Sequence, residues 1–167
     1  TATPNPVTLG NISTRLAVGT GDNALIGGFI VTGTQPKKVL LRAIGPSLPL
    51  AGTLANPTLD LYNSAGTLIA SNDNWRSSQE AAIKATTIPP LDDLESAIIA
   101  TLPAKNAGYT AIVRGANNGT GIALVEAYDL DRTVDSKLAN ISTRGLVQRG
   151  DDVLIAGEVN TSTSVPL

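Results

Sequence analysis

The sequence predicts an all-β fold, an antiparallel β-sandwich with at most one short helix. Three observations predict it. The chain is a series of short β-branched runs broken by Gly, Pro, Asn and Asp, the pattern of a sandwich or barrel. Aromatic residues are 3% of the 167 residues against 42% apolar residues, so Val, Ile, Leu and Ala must build the core. Cysteine is absent, so no disulfide staples the fold, and a length within the usual range for one domain allows a two-layer core.

Taken in order, residues 1–8 carry two prolines without periodicity and read as an extended arm. Residues 24–32 read as a strand in which Gly27-Gly28 signals a bulge or a close backbone approach. Residues 38–44 form the next strand and end at Gly45-Pro46. Residues 58–62 and 67–70 flank Asn63-Ser64-Ala65-Gly66 as a hairpin with a four-residue loop. Residues 95–102 and 108–115 flank Pro103 to Ala107 as a second expected hairpin, and Tyr109, Ala111 and Val113 share one face of the latter strand. Residues 121–129 give a further strand. Ser77 to Glu80 followed by AAIKAT resembles an N-cap and a first helical turn, stopped by Pro89-Pro90, and predicts a short lid over one end of the sandwich.

The chain also matches itself. LGNISTRLAVGTGDNALIGG at 9–28 recurs as LANISTRGLVQRGDDVLIAG at 138–157, an offset of 129 with twelve of twenty positions identical. A fixed period signals tandem architecture. The domain expected at 9–137 is one repeat, and 138–167 starts a second and stops. A lone two-stranded unit is marginal in water, so Leu146, Val147, Val153, Leu154 and Ile155 need a core from elsewhere. Two solutions are open: strand addition to another copy, or folding back over an edge of the same domain. Head-to-tail addition need not close and yields filaments. The expected interface residues are Asn11, Ile12 and Arg15 with Asn140, Ile141, Arg144, Val147, Val153, Leu154 and Ile155.

NISTR, GTGDNALIGGFIVTG, KKVLLRAIGPSL, PTLDLYNSAGTLIASNDNW, DLESAIIATLP, YTAIVRG and GIALVEAYDLD together resemble a tandem-repeat β-sandwich domain of large secreted and surface proteins of environmental bacteria. DLYNSAGTLIASNDNW with a later LP and YTAIV is similar in part to the bacterial pre-peptidase C-terminal domain. The resemblance implies a jelly-roll-like sandwich of the eight-strand class, an extracellular or cell-surface location, and no catalysis of its own.

Composition narrows the function. Without His or Cys the usual acid/base and nucleophile arrangements are missing, and no catalytic residue is assigned. Asp92-Asp93 with Glu95 offers carboxylates for glycoside chemistry, but Asp is also a common turn residue. A net charge of −2 gives no basic surface for nucleic acid. No apolar run reaches the roughly 20 residues of a membrane span, and a start at Thr1 rather than Met implies a removed leader or a fragment.

Asn72, Asp73, Asn74 and Asp92 are candidate calcium ligands, against an Asx-turn role for the same residues. No other cofactor is expected. Trp75 reads as a core plug rather than a sugar platform. Arg15 and Arg144 read either as buried partners of carboxylates or as edge charges. Asp129, Asp131 and Asp135 read as solvated linker charges. Lys38, Lys105 and Lys137 are possible isopeptide donors without a diagnostic motif, and Asn11, Asn118, Asn140 and Asn160 sit in N-x-S/T sequons. The expected function is a subunit of an extracellular filament or surface array whose partners are copies of itself. The alternative is a calcium- or glycan-dependent adhesion module of a larger secreted repeat protein.

Overall fold

A computed structural model describes residues 7–104, 106–150 and 153–162. Ten strands are assigned among them: β1 (Val7–Val18), β2 (Leu25–Thr32), β3 (Lys37–Ile44), β4 (Pro57–Asn63), β5 (Leu68–Asn72), β6 (Ser96–Leu102), β7 (Ala107–Gly115), β8 (Gly121–Asp129), β9 (Lys137–Arg144) and β10 (Ile155–Ser162). Short 3₁₀ turns lie at Trp75–Ser77 and Ala116–Asn118, and one helix, α1, covers Glu80–Ala85. The expected arm is shorter than the sequence suggests. Val7 and Thr8 already pair in β1, and residues 1–6 lie outside the described residues.

The first eight strands form two antiparallel sheets, in the orders β1-β8-β3-β6 and β2-β7-β4-β5. That is the connectivity of a jelly roll, a double-sheet solution to the edge problem. Strand alternation sends one face of each strand into a shared core. Leu16 and Val18 of β1, Leu25, Phe29 and Val31 of β2, and Val39 and Leu41 of β3 meet Leu59, Leu61, Tyr109, Val113 and Val125 there. Each fully buried large side chain contributes about 1.5–3 kcal/mol. The only Phe stacks on Tyr109 with ring centroids 5.7 Å apart.

One expected hairpin is corrected. Strands β6 and β7 do not pair with each other: β6 pairs with β3, and β7 pairs with β2 and β4. The connection after Leu102 crosses from one sheet to the other. Both strands carry a strong apolar stripe, Ile98 and Leu102 on one and Tyr109, Ala111 and Val113 on the other. Facing sheets let both stripes enter one core. The Tyr109 hydroxyl donates to the Pro103 carbonyl at 2.6 Å and ties the crossing down. The expected β4–β5 hairpin is present, with the Asn63 side chain accepting from the Ala65 and Thr67 amides inside the turn.

The helix also departs from expectation. It covers the outer face of β3 and β6 rather than an end of the sandwich: Ile83 packs with Trp75, Leu40 and Ala97 in a second apolar cluster. Its N-cap residue is Gln79, in the left-handed region at φ 56°, and it makes no capping bond. The Gln79 side chain instead donates to the Ile99 carbonyl and accepts from the Ile99 amide, occupying backbone groups on the outer edge of β6. Trp75 is buried as a plug, its indole N–H donating to the Asp92 carbonyl at 3.0 Å.

Two buried carboxylates organise the loops. Glu95, fully buried, accepts from the Gly45, Ser47, Leu91 and Asp92 amides and from the Ser47 hydroxyl. Asp129, expected as a solvated charge, is instead buried against Lys37 with Nζ to Oδ2 at 3.0 Å. The Lys37 ammonium also donates to the Asp131 carbonyl. The expectation failed because spacing in YDLDRTVD does not show that β8 carries Asp129 beside the first residue of β3.

Removing one member of such a pair strands the other charge in a dry site. Lys37→Met therefore lowers the free energy of unfolding by about 3–5 kcal/mol. Lys37→Met combined with Asp129→Leu recovers most of that loss. Urea unfolding of the two variants and the parent measures both effects.

Candidate assembly interface

Strands β1 and β2 lie side by side at one lateral boundary of the sandwich, one in each sheet. Beyond them the jelly roll has no further strand of its own, so each would expose a row of unpaired backbone groups. The second copy of the repeat fills that place. Strand β10 pairs antiparallel with β1, and β9 pairs antiparallel with β2. Each sheet thereby gains a fifth strand. In the single chain β9 and β10 fold back on their own body, the second of the two solutions the sequence left open.

The pairing is symmetric in repeat coordinates. Arg15 pairs with Ile155, and Ile26 pairs with Arg144. Subtracting or adding the offset of 129 converts one pair into the other. Ser13 with Gly157 and Gly28 with Ser142 are likewise reciprocal. Both ladders carry an irregularity in the corresponding region, between Leu9 and Asn11 in β1 and opposite Gly28 to Ile30 in β9. Asn140 takes φ 60° there, a conformation Asn tolerates better than most residues.

Equivalent residues also meet each other. The Thr14 and Thr143 hydroxyls are hydrogen-bonded at 2.8 Å. Leu9 is a backbone partner of Leu138, and Ala17 of Leu146. Each of these three pairs is separated by 129 residues, so an approximate two-fold relates β1–β2 to β9–β10. A Cβ on Gly28 would fall well inside contact distance of the Ser142 hydroxyl oxygen, so Gly28 leaves room for that side chain, and the ladder irregularity between Gly28 and Ile30 answers to the bulge the glycines signalled.

The candidate residues divide by copy. Ile12 is buried and Ile141 packs against the same core, half-buried. Asn11 is half-buried and Asn140 exposed. Among the described residues neither Arg15 nor Arg144 forms an ion pair. Arg15 Nε is buried without a hydrogen-bond partner, and Arg144 is exposed. The reading as buried partners of carboxylates is thus not met among those residues, and the exposed Arg144 fits the edge-charge reading.

Exposed large apolar side chains concentrate on the second copy. Leu146, Val147, Val153, Leu154, Ile155 and Val159 are 37–58% exposed. Their first-copy counterparts fare differently: Leu25 is 0% exposed where Leu154 is 37%, and Val18 is 2% where Val147 is 58%. The cause is neighbourhood. Strand β2 is flanked by β7 and β1 by β8, whereas no described strand flanks β10 beyond β1. Asp151 belongs to the repeat but lies outside the described residues, as does Lys105 among the amine donors.

The stretch joining β8 to β9 is held by one local turn and by bonds to the connection between β2 and β3. The Asp135 carboxylate accepts from the Thr34 amide and hydroxyl and from the Gln35 amide. Asp131 accepts from the Thr133 amide and hydroxyl. These hydroxyl bonds, to Thr34 for Asp135 and to Thr133 for Asp131, are the main cause that holds both carboxyls below the ordinary aspartate range. Sequence reasoning read both as linker charges and missed the Asp131 turn and the Asp135 bonds to the β2–β3 connection.

The calcium candidates are drawn into local structure. Asn72 donates to the Asn74 carbonyl and accepts from the Ala97 amide, so both ends of its amide are engaged. Asp92 accepts from the Leu94 amide as an Asx turn. Asn74 Oδ1 is buried without a partner. No group of three or more His, Cys, Asp or Glu poised around a metal site occurs among the described residues, and no helix there is long and apolar enough to cross a membrane. Comparison with family models, curated proteins and solved structures finds no match.

The depressed aspartates and the calcium candidates can both be checked in solution. A depressed aspartate contributes stability above its unfolded pKa and loses it as pH falls through the folded value. Thermal stability should therefore drop as pH falls below about 4, and Asp135→Asn should shrink that drop in melts at pH 3 and pH 6. Adding EDTA should leave the melting temperature unchanged; a fall reversed by calcium would restore Asn72, Asp73, Asn74 and Asp92 as ligands.

Proposed function

We propose that the protein is a non-catalytic structural subunit of an extracellular filament or surface array, assembling head to tail by β-strand addition. The β9–β10 segment of one copy docks on β1 and β2 of the next. The observation that carries this reading is that the segment reaches its own body through main-chain pairing to two lateral edges. Every copy presents the same two edges. Exchange between copies keeps all of those pairings and asks only the stretch after Asp129 to change course, the low-cost route of domain swapping. The choice between the two states is set by concentration, because docking within one chain competes with docking between chains at the same site.

Other features support the same reading. Leu146, Val147, Val153, Leu154, Ile155 and Val159 of the docked segment remain exposed, an apolar patch open to a further, lateral contact between subunits. The chain lacks His and Cys. The buried carboxylates Glu95, Glu126 and Asp129 are engaged by backbone amides, Arg42 and Lys37. The low net charge suits association between like copies rather than binding to nucleic acid. The resemblance to tandem-repeat domains of secreted and surface proteins supports an extracellular location for the assembly.

Negative-stain microscopy of the full chain beside a chain ending at Ser136 tests the proposal. Regular polymers from the full chain and none from the shortened one are expected. Dispersed particles from both, with binding to a glycan or cell surface, would favour the adhesion module instead.

A further inference from the structure

Among the differences between the two copies, one falls where their buried side chains meet inside the joint. Leu16 of β1 corresponds to Gly145, which directly follows β9, at the repeat offset of 129. Leu16 is 0% exposed. A Cβ on Gly145 would fall well inside contact distance of Leu16 Cδ2 and 3.5 Å from the Ala24 carbonyl oxygen. Leu16 therefore fills the volume that a side chain at 145 would need. The neighbouring self-equivalent pair Thr14–Thr143 is identical in type. Ala17 and Leu146 differ only where Leu146 is 41% exposed.

We infer that Leu16 and Gly145 make the joint directional: β1–β2 of one copy accepts the β9–β10 segment of a second copy and rejects that copy's β1–β2. In the observed register, a second β1–β2 in the place of β9–β10 would put its own Leu16 where Gly145 lies. Two leucines would then compete for one buried volume, and overpacking destabilises. Two β9–β10 segments facing each other would set glycine against glycine and leave a void, which also destabilises. Only the unlike pairing fills the space. Repulsion against the like pairing is how a nearly symmetric interface becomes selective, and a head-to-tail joint is what an open chain of subunits requires. The application between copies rests on the strand-exchange reading; the steric lock itself also operates within one chain.

The absence of cysteine makes the test clean. Full-length Thr14→Cys and Thr143→Cys chains are refolded together at high concentration and mildly oxidised. Disulfide-linked heterodimers are expected from the mixture, and no dimers from Thr14→Cys alone. Thr14→Cys with Leu16→Ala, refolded alone, should form dimers linked through position 14. Self-linking of Thr14→Cys as readily as the mixture would overturn the inference. A mixture that forms no crosslink would remove strand exchange, and the lock is then decided within one chain. Gly145→Leu should lower the melting temperature by roughly 5 °C, and Leu16→Ala with Gly145→Leu should recover most of that fall. An unchanged melt for Gly145→Leu, or a double variant no better than the single, would overturn the lock independently of exchange.

Discussion

The structure depends on how two lateral strand edges are satisfied. A jelly roll closes its ends with crossing connections, but β1 and β2 remain at an open side. Buried or exposed, their amides and carbonyls must find partners. The chain meets this need with a second copy of the strands that created it: β10 continues the sheet of β1, and β9 continues the sheet of β2. Gly28, the recurring ladder irregularity and the facing Thr14 and Thr143 all lie where the segment meets its own near-duplicate.

That arrangement leaves the body and the docked segment unequally buried. The body, strands β1 to β8, has a continuous core of aliphatic residues with Phe29 and Tyr109 at one point. The docked segment is less buried, with Val147 and Val159 more than half exposed. Local stability is expected to be lowest where buried apolar contacts are fewest, so β9–β10 is the part most ready to open. The buried Lys37–Asp129 pair lies at the point where β8 ends. It holds the start of the connection to the body, and Asp135 holds the far end to Thr34 and Gln35.

Much of this was legible in the sequence. Strand positions could be read from β-branched runs and turn residues, because alternation and punctuation are local properties. The repeat was legible because twelve identities in twenty positions recur at one offset. The β6–β7 crossing was not, because a five-residue connection with Pro103 is compatible with both a hairpin and a passage between sheets. The burial of Asp129 and Glu95 was not legible either, since their partners, Lys37 and the Gly45 to Ser47 turn, lie far away in sequence. Leu16 and Gly145 are one mismatch among several between the repeats, and only the fold brings them together.

If β9–β10 satisfies β1–β2 of its own chain or of another with the same pairings, concentration during folding decides between the two. Sedimentation velocity of protein refolded from urea over a wide range of concentrations measures this. Strand exchange predicts monomers at the lowest concentrations and a growing series of larger species as the refolding concentration rises, with far-ultraviolet circular dichroism unchanged. A monomer at every concentration would contradict it and leave the segment as a fixed cover for its own edges.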